Sequence, residues 1–220
     1  MTDTIPSITC MKPGDHYCGI FRTDDEQRAV IVQFVRESIA RNEKMVYLVN
    51  LQTAEQLKET LADAGIEVDR LVDKGQLVIM TAKEAYLRDG QFDPDAMIQL
   101  LSDETDKAIA EGYTALRATG EMNWALAGEP GSERLVEYES RVNELFAKKP
   151  CYALCQYDRR LFDAEMLLDI LNVHPKVLFG KDGLDNSRMY FVPSHAFLEH
   201  DRQAAKLDTW LKNLADKPLT

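Results

Sequence analysis

Residues 17–49 read YCGIFRTDDEQRAVIVQFVRESIARNEKMVYLV, and they decide the fold class. Residues 17–21 are a short apolar run. Thr23 or Asp24 then stands where a helix can be capped, and the acids that follow suit the positive end of a helix dipole. Val30, Ile31, Phe34, Val35 and Ile39 recur on one face of a helix over about 25–41. Residues 45–49 form a second apolar run with the look of a strand buried on both faces. A strand, a covering helix and another strand make a βαβ unit, because parallel neighbours need a long connection. The loop between the first strand and the helix is also informative. A nucleoside triphosphatase needs glycines whose amides cradle phosphate and a lysine that reaches it. Here Arg22-Thr23-Asp24-Asp25-Glu26 puts three acids in that place, and the chain contains neither a GK[ST] nor a GxGxxG motif.

The alternation continues outward. Thr53 caps a helix to about Ala64, which Gly65 ends. Residues 77–80 read as a strand, and Pro94 opens a helix to about Glu111 that Gly112 closes. A strand over 115–120, a helix over about 132–147, a strand over 151–157 and an Asp163-capped helix to about Leu171 follow. His174-Pro175 turns the chain into a strand over 176–179. A polar turn leads to a last short strand at Met189-Tyr190-Phe191-Val192, an antiparallel edge hairpin, and the tail from Ser194 reads as helical. The expectation is a three-layer α/β/α domain with a mostly parallel central sheet. Its parts would be an extension over 1–13, one domain over 14–198 and a helical tail over 199–220.

Composition narrows the partners. Of 220 residues, 26 are Lys or Arg and 37 Asp or Glu, a net charge of -11. Such a surface repels a phosphate backbone and lacks the basic footprint from which nucleic-acid binding starts, so direct DNA or RNA binding is not expected. No apolar run approaches the ~18 residues of a membrane span, and the N-terminus lacks the basic and apolar regions of a secretory signal, so a cytoplasmic, membrane-free chain is expected. Cys10, Cys18, Cys151 and Cys155 form no CxxC, and a disulfide framework is not expected. Cys151 and Cys155 lie in an apolar run, where cysteine is an ordinary small hydrophobe.

Ligands of open α/β sheets sit outside the carboxyl ends of the strands. The loops there carry Arg22 and Asp24, Asn50 and Gln52, Thr81 and Lys83, Glu121 and Asn123, Asp158 and Arg159, with Tyr17, Phe21, Trp124 and Tyr157 among them. Aromatic walls with a few polar anchors make a small-molecule pocket. No GxSxG, HExxH or zinc-deaminase pattern points to hydrolysis. His195 and His200 read as solvated tail residues. His16 and Cys18 share one side of the first strand by period-two alternation. They suit a ligand pocket, a soft metal joined by Cys10, or a loop brace over a packed thiol. Arg117 interrupts an apolar strand and needs a partner there, with Glu121 or Glu139 as candidates, or else anchors a ligand.

Several segments together resemble the MEDS family of sensory domains. They are Gly14-Asp15-His16-Tyr17-Cys18 with Ile20-Phe21, Asn42-Glu43-Lys44, residues 117–125 from Arg117 to Ala125, Tyr138-Glu139, Leu154-Cys155-Gln156-Tyr157-Asp158, Leu168-Asp169, His174-Pro175 and Tyr190-Phe191-Val192-Pro193. The resemblance implies a RecA-type core of the circadian-clock ATPase kind that has lost its phosphate loop. It also implies sensing of small organic compounds such as hydrocarbon derivatives, in company with DNA-binding or histidine-kinase modules. Neither module is visible here, so output would pass through a partner such as a histidine kinase or transcription regulator, or through self-association as a homodimer. The leading expectation is a non-enzymatic ligand sensor whose pocket takes His16, Cys18, Phe21, Arg117, Glu121, Trp124, Tyr157 and Asp158. The alternatives are a metal- or haem-binding redox sensor using His16 and Cys18, with Cys10, and a degenerate nucleotide binder without hydrolysis. A Cys18 nucleophile would further require a lowered thiol pKa.

Overall fold

In the computed structural model, which describes residues 5–187, 189–198 and 202–215, the chain begins with α1 (Pro6–Thr9), β1 (His16–Phe21), α2 (Asp24–Ala40) and β2 (Lys44–Val49). It continues through α3 (Ala54–Asp63), α4 (Val68–Asp73), β3 (Leu77–Thr81), α5 (Ala82–Ala85), α6 (Pro94–Ala110) and β4 (Leu116–Glu121). Two 3-10 turns, Met122–Ala127 and Ser132–Arg134, lead into α7 (Leu135–Phe146), β5 (Cys151–Asp158) and α8 (Ala164–Val173). The chain closes with β6 (Lys176–Phe179), β7 (Asp182–Asp185), α9 (Ser194–Phe197) and α10 (Arg202–Ala215). The caps sit where the sequence puts them. The Thr23 hydroxyl accepts from the Glu26 amide, and Thr53 with Gln56 forms a reciprocal capping box.

The seven strands lie in the order β3-β2-β4-β5-β1-β6-β7, parallel throughout except for β6 against β7. Crossovers run one way along the sheet from β1 through β2 to β3 and then back the other way through β4 and β5 to β6, and right-handed connections then put helices on opposite faces. The side chains record this. Tyr17 and Phe21 of β1 pack in one core with residues of α1, α2, α3 and α4. Cys18 and Ile20, their neighbours in sequence, pack in the other with α6, α7 and α8. The result is a three-layer α/β/α fold.

The expected last strand is a correction. Residues 189–192 are turned, and the antiparallel partner of β6 is Asp182–Asp185, reached through Gly180 and Lys181. Asn186 diverts the chain: its carbonyl accepts from the Met189 and Phe191 amides and its side-chain oxygen from the Tyr190 amide. Val192 donates to the Asn172 carbonyl instead of to a ladder. The helix expected from Ser132 begins as a 3-10 turn and becomes α-helical at Leu135. That turn follows Gly131, whose φ is +84° and where an added Cβ would lie 2.1 Å from the Phe92 carbonyl oxygen. The short helices α1, α4 and α5 carry too few turns for a periodic signal. His195 is exposed, and His200 lies outside the described residues. Among the described residues, no helix is long and apolar enough to cross a membrane.

Candidate functional site

At the carboxyl ends of β2, β4 and β5, between α2 and α3, a cleft of about 440 Å³ opens. Its apolar walls are Ile31 and Leu57, and its polar groups include Tyr47, Gln52, Glu121, Asn123 and Gln156. Alternation along β4 aims Arg117, Thr119 and Glu121 at the α2–α3 side, and along β5 it aims Gln156 the same way. The floor is a chain of neutral hydrogen bonds. Gln156 Nε2 donates to Thr119 Oγ1 at 2.9 Å, Gln27 Nε2 donates to Gln156 Oε1 at 2.7 Å, and Gln52 Nε2 donates to the Tyr47 hydroxyl at 3.1 Å.

Glu121 closes one end. Its carboxylate accepts from the Asn50 and Leu51 amides at 2.9 and 2.7 Å and from Gln52 Nε2 at 2.5 Å. It thereby fixes the loop from β2 to α3 that forms the cleft's lip. Burial, with Glu121 nearby, pushes the Tyr47 phenol far above its ordinary range, so it stays a neutral hydroxyl. Asn123 lines the cleft, and its Oδ1, turned away from solvent, has no hydrogen-bond partner. At the rim Arg160 bridges Asp158, with Nε at 2.9 Å from Oδ1, and Asp24. The guanidinium hydrogen bonds hold the Asp158 carboxyl below its usual range. In the loop after β1, Arg22 turns on Glu26 at 2.5 Å and lies over the Phe179 ring.

The eight residues named from the sequence do not share one pocket. Glu121 and Asp158 line the cleft. Phe21 is buried in the core beneath α1 and α2. Trp124 stacks on Tyr86 at 4.5 Å between ring centroids, with Phe92 at 4.7 Å, inside the opposite core. Arg117 is fully buried, and its partner is neither Glu121 nor Glu139 but Glu43. Its Nε donates to Glu43 Oε2 at 2.7 Å while the Tyr152 hydroxyl donates to Oε1 at 2.6 Å. The Phe34 and Tyr152 rings flank the guanidinium, each 4.8 Å away.

His16, Cys18 and Tyr157 face the α7–α8 layer. There His16 Nε2 lies 3.1 Å from Glu139 Oε2 and 3.4 Å from Cys155 Sγ, and His174 Nε2 lies 3.5 Å from the same Glu139 oxygen. All four residues are buried. Burial and the His174 imidazole lower the His16 pKa to about 4, against the pull of Glu139. Burial alone would raise Glu139, yet His174 and His16 hold it below the carboxylate range. The set Cys10–His16–Cys18 does not converge. Cys10 is exposed at the end of α1, in the other layer, and the donors that meet His16 are Glu139, Cys155 and His174. Burial also pushes the Cys18 thiol well up, the reverse of what a nucleophile needs. His174 and Cys155 carried no functional signal as a turn residue and an apolar strand residue. The pairing of β1 with β5, which sets Cys18 opposite Cys155, and with β6, which sets Tyr17 opposite Lys176 just after His174, brings them to His16.

Comparison with known proteins adds the following. The family model described as "MEthanogen/methylotroph, DcmR Sensory domain" (MEDS) matches residues 15–175. The transcriptional repressor DcmR of Methylorubrum extorquens is 26% identical over 161 residues, which cover 73% of this chain and 58% of that protein. The chain thus spans less than two thirds of the curated relative it matches. Among solved structures, the KaiC-like protein PH0186 from the hyperthermophilic archaeon Pyrococcus horikoshii OT3 superimposes with a TM-score of 0.56 at 12% identity, covering 76% of this chain and 72% of that one. This is a likeness of fold.

Proposed function

This chain belongs to the MEDS family of sensory domains, and we propose that it is a non-enzymatic regulatory sensor that binds a small organic molecule in the cleft at the ends of β2, β4 and β5. The observation that carries the reading is the cleft itself. It combines apolar walls at Ile31 and Leu57 with the neutral amide side chains of Gln27, Gln52, Asn123 and Gln156. A short carbon skeleton bearing one polar group complements those surfaces. The cleft lining carries three carboxylates, Asp24, Glu121 and Asp158, against two guanidiniums, Arg28 and Arg160, and the remaining negative charge disfavours the phosphates of a nucleotide. Binding would favour one of two states of the domain, and a partner or self-association would read the difference. The likeness to a transcriptional repressor supports a regulatory output of that kind.

Thermal melts against a panel of short alcohols, amines and halogenated alkanes test this, with Asn123→Leu and Leu57→Trp as cleft variants. A ligand at ten times its Kd stabilises by about 1.4 kcal/mol, a rise of roughly 3–6 °C at this chain length. The rise should vanish in both variants. Melts unmoved by the whole panel at millimolar concentration, or a rise that persists in both variants, would overturn the reading.

A further inference from the structure

We infer that His16, Glu139, Cys155 and His174 form a structural site for a divalent, zinc-type metal ion on the face of the sheet opposite the cleft. The first ground is geometry. A tetrahedral zinc site with bonds of ~2.0–2.3 Å separates its ligand atoms by roughly 3.3–3.6 Å. Four of the six donor separations are 3.1, 3.4, 3.5 and 3.5 Å, and the other two, from His174 Nε2 to His16 and to Cys155, are within 4.8 Å. Two imidazoles, a carboxylate and a thiol make a donor set suited to zinc.

The second ground is the direction of the lone pairs. His174 Nδ1 lies 2.8 Å from the Ile170 carbonyl, which can only accept, so Nδ1 carries a hydrogen and, in the neutral ring, Nε2 presents a lone pair. His16 Nδ1 likewise faces Asn143 Oδ1 at 3.1 Å. The orientation of Asn143 is settled by its amide nitrogen, which donates to the carbonyls of Glu139, Ser140 and Val173. Both Nε2 lone pairs therefore point at Glu139 Oε2, itself an acceptor, and the buried His174 Nε2 has no hydrogen-bond partner. Lone pairs that converge in a buried space repel one another, and a cation between them relieves this, whereas the Cys155 thiol, 3.5 Å from Glu139 Oε2, supplies only one weak donor. The other carboxylate oxygen is taken by the Tyr157 hydroxyl, which donates at 2.6 Å. Glu139 is thus left one oxygen for a metal, while Asn143, Ile170 and Tyr157 supply the outer hydrogen bonds that orient metal ligands.

The third ground is charge. Binding deprotonates Cys155, whose proton leaves to solvent as the site assembles. A thiolate and a carboxylate then neutralise a dication where water is excluded. With four protein donors the site is closed, as structural zinc sites are. The donors come from β1, α7, β5 and the end of α8, so the ion would tie the sheet to the helices that cover it. The competing occupant is a proton on one imidazole.

The full chain, unfolded with chelator and refolded with one equivalent of Co²⁺, separates the two. A metal site predicts one-to-one binding, visible bands of tetrahedral intensity, a near-ultraviolet sulfur-to-cobalt band and a raised Tm, with Zn²⁺ displacing Co²⁺. Cys155→Ser should abolish the sulfur band and Cys151→Ser should retain it. His174→Gln should weaken binding, and Asn143→Ala should do so by about 10–100-fold through orientation of His16. Wild-type protein that refolds with a native circular dichroism spectrum yet takes up no Co²⁺ would leave the proton as occupant and overturn the assignment. A sulfur band unchanged in Cys155→Ser would overturn it as well.

Discussion

Removing Glu43 tests how the layer beneath α2 holds together. Arg117 is buried in β4 with its side chain at 0% exposure, and among the described residues Glu43 is the only carboxylate it pairs with. Glu43→Ala strips the guanidinium of that counter-charge and the Tyr152 hydroxyl of its acceptor at once. The Phe34 carbonyl, 3.2 Å from Nη1, stays as a neutral partner, and Nη2 already lacks one. Leaving one member of a buried pair uncompensated costs about 3–5 kcal/mol. At this chain length that is a fall in Tm of roughly 6–20 °C. The double variant Arg117→Met, Glu43→Gln buries no charge and keeps an acceptor for Tyr152. Because neutral replacement of a buried pair is often nearly free, it should recover most of the loss, a coupling of about 2–3 kcal/mol. Urea unfolding of wild type, Glu43→Gln, Arg117→Met and their double variant, with Glu43→Ala beside them, measures this directly. A cost under about 1 kcal/mol for Glu43→Ala, or single costs that simply add in the double variant, would refute the reasoning.

Three further outcomes follow from the geometry. Native protein at pH 8 should react with iodoacetamide at Cys10 alone, because the other three thiols are buried, and all four should react after denaturation; early labelling of Cys155 would show that the α7–α8 layer opens. Glu121→Gln keeps the size of the side chain but weakens its acceptance from two amides, so hydrogen exchange at Asn50 and Leu51 should accelerate by about tenfold or more, as befits the loss of a charge-assisted bond. Unchanged protection there would mean the lip of the cleft is held by something else. Gly131→Ala combines a left-handed φ, worth about 1–2 kcal/mol, with collision against the Phe92 carbonyl, whereas Gly75→Ala has a φ of +68° and open space. The first should therefore cost at least about 1 kcal/mol more than the second in denaturant titrations, and equal costs would contradict the turn geometry.

The alternation of runs and caps makes the six parallel strands and the longer helices that cover them legible in sequence, because periodicity is local. Strand order is not local. From β1 the chain crosses β5 and β4 before laying down β2, and nothing within residues 17–49 records that journey. The same gap hid the partner of Arg117: Glu43 shares its face only because Met45 sits opposite Arg117 in the β2–β4 register. Glu121, Asp158, Gln52 and Asn123 stand out as polar residues just past apolar runs, and they do line the cleft. Gln156 and Tyr47 do not stand out, since each is enclosed in a run that reads as core. The sequence suggests a last strand too far along the chain because Tyr190-Phe191-Val192 has β propensity, whereas the segment that pairs, Asp182-Gly183-Leu184-Asp185, has almost none and is held by the neighbouring β6.

Cys155, Gln156 and Tyr157 are consecutive in β5, and successive side chains of a strand point to opposite sides. Gln156 forms part of the cleft floor, while Cys155 and Tyr157 reach the histidine pair behind the sheet. Two planar peptide units are all that separates the two regions. β5 is also clamped along its length by β4 on one side and β1 on the other, so it has little freedom to buckle between them. The strand therefore works as an axle through a wall: a tilt or slide imposed at Gln156 on one side must appear at Cys155 and Tyr157 on the other.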